Sequence, residues 1–194
     1  MASIVVGGHA RKVGKTAVAA GIIAAFSRFP WTAVKMTSHQ HADASPAEPF
    51  TIQEEADRTG HSDTSRFLVA GAARALWVRA REDGLDAAVQ QLLPTIHADP
   101  FVIIESNRIL QFFRPDVYIV VLHYDVEDFK SSARETLHQA DAIVAINYRP
   151  SPPLWKDVAI PAGVPLIKTT TLHSIPEDLV TFMRSRLPLL RESV

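Results

Sequence analysis

The chain reads as an α/β protein, a mostly parallel central sheet flanked by helices, and three observations carry that reading. Short apolar runs alternate along the chain with stretches of helical periodicity. Two of these runs, Phe101 to Glu105 (FVIIE) and Val117 to Leu122 (VYIVVL), are almost unbroken, as in strands buried on both faces of a parallel sheet. Near the N-terminus, SIVVGGHARKVGKTAVAAGIIAAF passes from apolar strand to glycine-rich basic loop to alanine-rich helix.

That last stretch comes first in chain order. Ile4-Val5-Val6 makes a strand, two glycines open a loop, and Gly14-Lys15-Thr16 leads into a helix. This order is how a phosphate is held in P-loop NTPases. Loop N–H groups converge on phosphate oxygens, and the helix N-terminus adds partial positive charge. Lys15 reaches terminal phosphates, and the Thr16 hydroxyl ligates magnesium. Gly8 and Gly14 supply the turn, so the candidate phosphate contacts are Gly8, Lys12, Val13, Gly14, Lys15, Thr16 and Ala17. Five residues, His9 to Val13, separate the two glycines, one more than in the common motif. Arg11 and Lys12 either add charge near the phosphates or are solvated basic residues.

The remaining elements follow in order. A helix over 15–28 carries Val18, Ile22, Ala25 and Phe29 as its sheet-facing stripe, and Pro30 ends it. Trp31 to Met36 (WTAVKM) is a second strand, followed by a long polar loop over 37–50 with His39, His41 and Asp43. A weak helix is expected over 51–59. Asp63 or Thr64 caps a helix reaching about Ala73, and Ala75 to Arg79 is a short strand. A helix over 85–93 stops at Pro94. After the two buried strands, Asp125 caps a helix to Ala140, and Ala142 to Ile146 is a strand ending at Asn147. A proline-rich loop (150–161), a strand over 164–168 and a capping box, Ser174-Ile-Pro-Glu177, precede the last helix.

Length and composition set bounds. The 194 residues suit one domain, 1–194, with a real core. A formal charge of −1 gives no electrostatic case for nucleic acid or an anionic membrane. With no cysteine, disulfides, thiolate metal sites and cysteine nucleophiles are excluded. No targeting segment or membrane span is read, which fits a cytoplasmic protein.

Ligands of parallel sheets lie beyond the carboxyl ends of the strands. Thr16, Lys35, Glu105 and Asn147 are therefore expected on one edge. Lys35 is either a solvent-facing strand lysine or a cation aimed at a terminal phosphate or an anionic substrate. Glu105 is a candidate magnesium group, because hard cations take carboxylate oxygens. Asp43 and Asp63 are rivals for the metal, and Asp63 is equally a helix cap. His39 and His41 lie two apart in an extended segment, which puts both rings on one side. Asn147 is either a base reader or a strand-end turn residue. The candidate catalytic set is Lys15, Lys35 and Glu105, with metal candidates Thr16, Glu105, Asp43 and Asp63.

These residues carry a resemblance. GHARKVGKT is similar to the GTDTxVGKT loop of the dethiobiotin synthetase family, with the same five-residue insert. AVKMTSHQH resembles the lysine-ended strand of that family and the IKH-type strand of the molybdopterin-guanine dinucleotide biosynthesis family MobB. GHSDTSRFLVAGAARALWVRA looks like MobB's GKDS…AGA segment. FVIIES resembles the VEG strand end of both, with Ser106-Asn107 in place of the glycines, and AIVAINYR resembles the base-reading strand of dethiobiotin synthetases. The resemblance implies magnesium-dependent binding of GTP or ATP, slow NTP hydrolysis and service to a cofactor-biosynthesis enzyme. The alternative it implies is an ATP-dependent ligase or phosphotransferase acting on an anionic small molecule. A third reading is a nucleotide-switched interaction module without catalysis. Both families form dimers, so a homodimer is expected.

Overall fold

A computed structural model describes residues 1–38, 48–172 and 174–191. The chain order is β1 (Ala2–Gly8), α1 (Lys15–Ala25), β2 (Thr32–Ser38), β3 (Phe50–Glu54), α2 (Asp63–Val69), β4 (Arg74–Ala80), α3 (Leu85–Ala98), β5 (Phe101–Glu105), β6 (Val117–His123), α4 (Ser131–Thr136), β7 (Ala142–Ile146), β8 (Leu166–Thr169) and α5 (Glu177–Arg186). The strands form one eight-stranded sheet in the order β3-β4-β2-β5-β1-β6-β7-β8. Every neighbouring pair is parallel except β3 with β4.

Side chains alternate between the two faces of each strand, so the sheet separates two apolar layers. Ile4, Val6, Ala33 and Ile103 pack with Val18 and Ile22 of α1, Phe67 of α2 and Leu179 and Met183 of α5. Val5, Val34 and Ile104 face the other way, onto Val89, Leu92 and Ile96 of α3 and Ala133 of α4. The register pairs Lys35 with Glu105 and Val6 with Glu105. Lys35 and Glu105 thus continue the α1-facing rows and end beside the loop that follows β1.

Several expected boundaries move, each for a visible reason. The first helix stops at Ala25 rather than Arg28, and Ala25 is exposed while Ala19, Ile23 and Phe26 are buried. The buried Trp31 holds this end by donating its indole N–H to the Phe26 carbonyl at 3.0 Å. The weak helix expected over 51–59 is instead the edge strand β3. FTIQE carries β-branched Thr51 and Ile52, and pairing with β4 satisfies its backbone. The Glu55 carboxylate then accepts the N–H groups of Ala56 and Asp57 and turns the chain. Ser62, not Asp63 or Thr64, caps α2, its Oγ accepting the Ser65 N–H at 3.0 Å.

Pro94 does not stop α3, which continues to Ala98. Pro94 is exposed, while the buried Leu92 and Ile96 hold the helix on the sheet on either side of it. The helix expected from Asp125 to Ala140 shrinks to α4 plus a single 3-10 turn, Leu137–Gln139. Residues 125–130 are diverted to contacts outside the helix: the Asp125 carboxylate accepts from Asn147, and the Lys130 backbone N–H goes to the His9 carbonyl at 2.8 Å. The capping box at Ser174 does not form. Pro176 (φ −60°, ψ 144°) enters α5 without a side-chain cap, and Ile175 packs onto Gly21 of α1, where a Cβ would collide with it.

A proline within a helix removes one backbone bond and crowds the preceding turn. Pro94→Ala is therefore expected to stabilise the protein by roughly 1 kcal/mol or more, read as a raised urea midpoint at unchanged slope. An unchanged or lowered midpoint would show that this position carries no proline strain.

Candidate functional site

The loop between β1 and α1 is fixed by its own glycines and by groups from three other strands' ends. At Gly7 a Cβ would meet the Asn107 carboxamide oxygen and lie 2.6 Å from the Tyr118 hydroxyl, so only glycine fits. The Asn107 side chain clamps the next residue twice, accepting the Gly8 N–H at 2.8 Å and donating to its carbonyl at 3.0 Å. Gly14 adopts φ 96° directly under Ile146 and Leu172, where a side chain has neither the conformation nor the room. Lys12 also takes a left-handed φ of 57° and is exposed, whereas Val13 is fully buried and pins the loop to the core. The N-terminus of α1 has no side-chain cap and no acidic residue in its first turn. Its free N–H groups and partial positive charge suit an anion.

His9, the first residue of the loop, is fully buried. Its Nε2 accepts the His123 N–H at 3.0 Å, which fixes the neutral tautomer with Nδ1–H donated to the Asp128 carbonyl at 2.8 Å. The ring lies against Phe129 and Trp155 with centroids 5.1 and 5.0 Å away. Burial, with a smaller contribution from the Lys15 charge, pushes its pKa down to about 4.

Where β5 ends beside the middle of β2, four side chains converge. The Thr16 hydroxyl donates to Glu105 Oε2 at 2.7 Å. Lys35 Nζ donates to Glu105 Oε1 at 2.8 Å and to Thr16 Oγ1 at 3.3 Å, and pairs with Asp63 Oδ2 at 2.6 Å. Glu105 is buried at 4% exposure, Lys35 is at 15% and Asp63 at 42%, so the cluster opens toward α2. Lys15 bends back over the loop and donates to the Ala10 carbonyl at 2.6 Å. Burial lowers its pKa to about 8, against the pull of Glu105. Thr16, Glu105 and Asp63 offer hydroxyl and carboxylate oxygens, the donor set a magnesium ion takes. Among the described residues no group of three or more His, Asp or Glu could hold a metal by itself. The set fits an ion that shares its ligands with phosphates and water.

Asn147 ends β7 on the same edge of the sheet, with φ 52° and its N–H bonded to the Thr169 carbonyl. Its side chain donates to Asp125 at 2.8 Å, and Arg149 pairs with the same carboxylate. Those bonds, Asn147 first, hold the Asp125 carboxyl below its ordinary range. Beside it opens a cleft of about 360 Å³ lined by Tyr148, Lys168, Thr169, Thr170, Thr171 and Ser174, with Lys168 Nζ 4.1 Å over the Tyr148 ring. Ala17 lies half-buried on the first turn of α1. Asp43, His39 and His41 lie outside the described residues.

Two residues that shape the loop were not singled out from sequence. Asn107 is visible there only as a substitution for a glycine after FVIIE, and His9 only as a loop histidine. Asn107→Ala is expected to destabilise the protein by about 1–3 kcal/mol, since it strands both backbone groups of Gly8. A urea midpoint equal to wild type would contradict the clamp. For His9, the depressed pKa means the unfolded chain binds a proton that the folded chain refuses between about pH 6.5 and about pH 4, so stability falls on acidification through that window. The loss is about 2 kcal/mol between pH 7 and pH 5, and His9→Gln should shrink it; an equal loss in the variant would assign it elsewhere.

No protein-family model matches the chain, and no curated protein does. Solved structures do. LpxK from Aquifex aeolicus, solved with ATP, has a TM-score of 0.49 at 15% identity, over 93% of this chain and 60% of that one. The chain thus spans about 60% of the length of that structure. HypB from Helicobacter pylori, solved with nickel, has a TM-score of 0.51 at 15% identity, over 98% of this chain and 90% of that one. The fold is that of the P-loop NTPases, an eight-stranded, mostly parallel sheet with helices on both faces.

Proposed function

We propose that this protein binds a magnesium–nucleotide complex, GTP or ATP, with its phosphates in the loop from Gly8 to Thr16. The carrying observation is that Lys15, Thr16, Glu105 and Lys35 meet at the uncapped N-terminus of α1. Backbone N–H groups of the loop, with Lys12, Val13 and Gly14 shaping it, receive phosphate oxygens. Lys15 leaves the Ala10 carbonyl for the terminal phosphates, and Asn147 with the cleft beside Tyr148 takes the base. Thr16 and Glu105, with Asp63 at the rim, hold magnesium, which when bound neutralises developing phosphate charge.

The reading extends to a single nucleotide-binding domain over 1–194, MobB-like, with slow NTP hydrolysis in support of a cofactor-biosynthesis enzyme. A homodimer and a cytoplasmic setting belong to it; among the described residues no helix is long and apolar enough to cross a membrane. A net charge of −1 gives no electrostatic case for nucleic acid as a partner. The position of Lys35 favours a second reading. An ammonium 2.8 Å from Glu105 and 3.3 Å from Thr16 is placed to move onto a terminal phosphate, as phosphoryl transfer to an anionic small molecule requires. Phosphate release that stays negligible across a panel of small carboxylic acids counts against this ligase or phosphotransferase.

Titration calorimetry with ATP and GTP, with and without magnesium, tests the nucleotide. Lys15→Ala is expected to weaken binding roughly 10–100-fold while retaining the wild-type melting temperature; equal affinity would refute the phosphate site. Because the free Lys15 ammonium has a pKa of about 8 and phosphate raises it, binding near pH 8 takes up a fraction of a proton. At that pH the terminal phosphate is already ionised, so enthalpies measured in two buffers of different ionisation heat should differ in wild type and coincide in Lys15→Ala. Coincidence in wild type would mean that Lys15 does not meet the phosphates.

A further inference from the structure

Thr16 Oγ1 has one hydrogen to give and lone pairs to receive. The hydrogen goes to Glu105 Oε2 at 2.7 Å, and a lone-pair direction is occupied by Lys35 Nζ at 3.3 Å. The same ammonium lies 2.8 Å from Glu105 Oε1 and 2.6 Å from Asp63 Oδ2. Thr16, Glu105 and Asp63, the groups that could draw a divalent cation here, each already have one oxygen on the same tethered positive charge, and Asp63 Oδ1 also lies 4.0 Å from Arg66 Nη1. The root of that tether is fixed: Lys35 sits in β2, paired in register with Glu105 of β5 and Trp77 of β4, so the ammonium reaches only what its side chain can span.

From this geometry we infer that Lys35 is a built-in stand-in for the divalent cation, closing the metal position until nucleotide arrives. The inference rests on the proposed magnesium–nucleotide site and adds an order of events to it. A free divalent ion must displace an ammonium that has nowhere else to be neutralised, so it binds poorly alone. A bound polyphosphate supplies new negative charge within reach of Lys35. The ammonium moves to it, and Thr16 and Glu105 are released to the metal. Lys35 thereby couples the two ligands, each improving the affinity of the other. Asp63, the most exposed member, exchanges Lys35 for the metal in the same step and keeps Arg66 beside its other oxygen.

Mn2+ alone is the probe, followed by its electron paramagnetic resonance signal and by calorimetry on the full chain without nucleotide. Wild type is expected to bind Mn2+ weakly. Lys35→Met, which keeps the apolar stem and removes the charge, is expected to bind it at least about tenfold more tightly, because a positive charge a few ångströms from the ion is gone. Lys35→Met/Glu105→Gln should lose that gain, which places the ion in this cluster, and Lys35→Arg should behave as wild type. Circular dichroism melts verify folding, and Lys35→Gln replaces Lys35→Met where the methionine variant does not fold. Equal Mn2+ affinity in wild type and the charge-removed variant overturns the inference, as does a gain that survives Glu105→Gln. Nucleotide binding that persists in wild type in either case leaves the phosphate site standing, so the two failures are separable. No nucleotide binding by wild type would remove the foundation of both.

Discussion

The site depends on register. β5 lies between β1 and β2, and the pairing of Glu105 with both Val6 and Lys35 decides where the two charged side chains emerge. Rows of Ile4, Val6, Ala33 and Ile103 pack against α1, and Glu105 and Lys35 are the next positions in those rows. A slip of one residue in either pairing would turn a charge toward the apolar layer of α3 and leave Thr16 without its acceptor. Since the parallel strands are buried on both faces, the apolar layers enforce the register. The charged cluster itself needs to contribute little to stability, since desolvation offsets much of the gain from a buried ion pair.

Around that fixed edge the loop between β1 and α1 is held from beneath as well as by its own glycines. Asn107 extends the hydrogen bonding of β5 onto Gly8, Tyr118 closes the space under Gly7, and Val13 is buried. His9 ties the loop to the end of β6 and to the segment before α4, using both ring nitrogens. The loop is thereby preorganised while the N-terminus of α1 stays uncapped. An anion arriving there finds its donors already oriented and does not bear the cost of ordering them.

Much of this was legible in the sequence, for physical reasons that differ by element. FVIIE and AIVAI lie in parallel strands buried everywhere but at Phe101, where the apolar run is the strand, and β5 and β7 match those runs residue for residue. Gly14-Lys15-Thr16 is local chemistry, so it could be read without a fold. Glu105 was readable as a strand end, and its meeting with Lys35 follows from a parallel sheet, although β2 runs three residues past Lys35 to Ser38. The failures are tertiary. Phe50–Glu54 has only Thr51 and Ile52 as β-branched signal and becomes a strand because β4 offers a free edge. Asp125 looks like a helix cap, but the segment after it is spent on Asn147, Arg149 and the ring cluster around His9. Pro94 looks like a stop, and burial of Leu92 and Ile96 overrides it. Asn107 and His9 act through backbone groups distant in sequence, a role that side-chain chemistry alone does not announce.

The central claim is that one nucleotide's phosphates occupy the loop between Gly8 and Thr16. The most direct measurement is a crystal structure with magnesium and a non-hydrolysable ATP or GTP analogue. The account predicts terminal phosphates over the N-terminus of α1, Lys15 withdrawn from the Ala10 carbonyl onto them, and a metal beside Thr16. A nucleotide bound elsewhere on the sheet edge, with Lys15 still on Ala10, would contradict it.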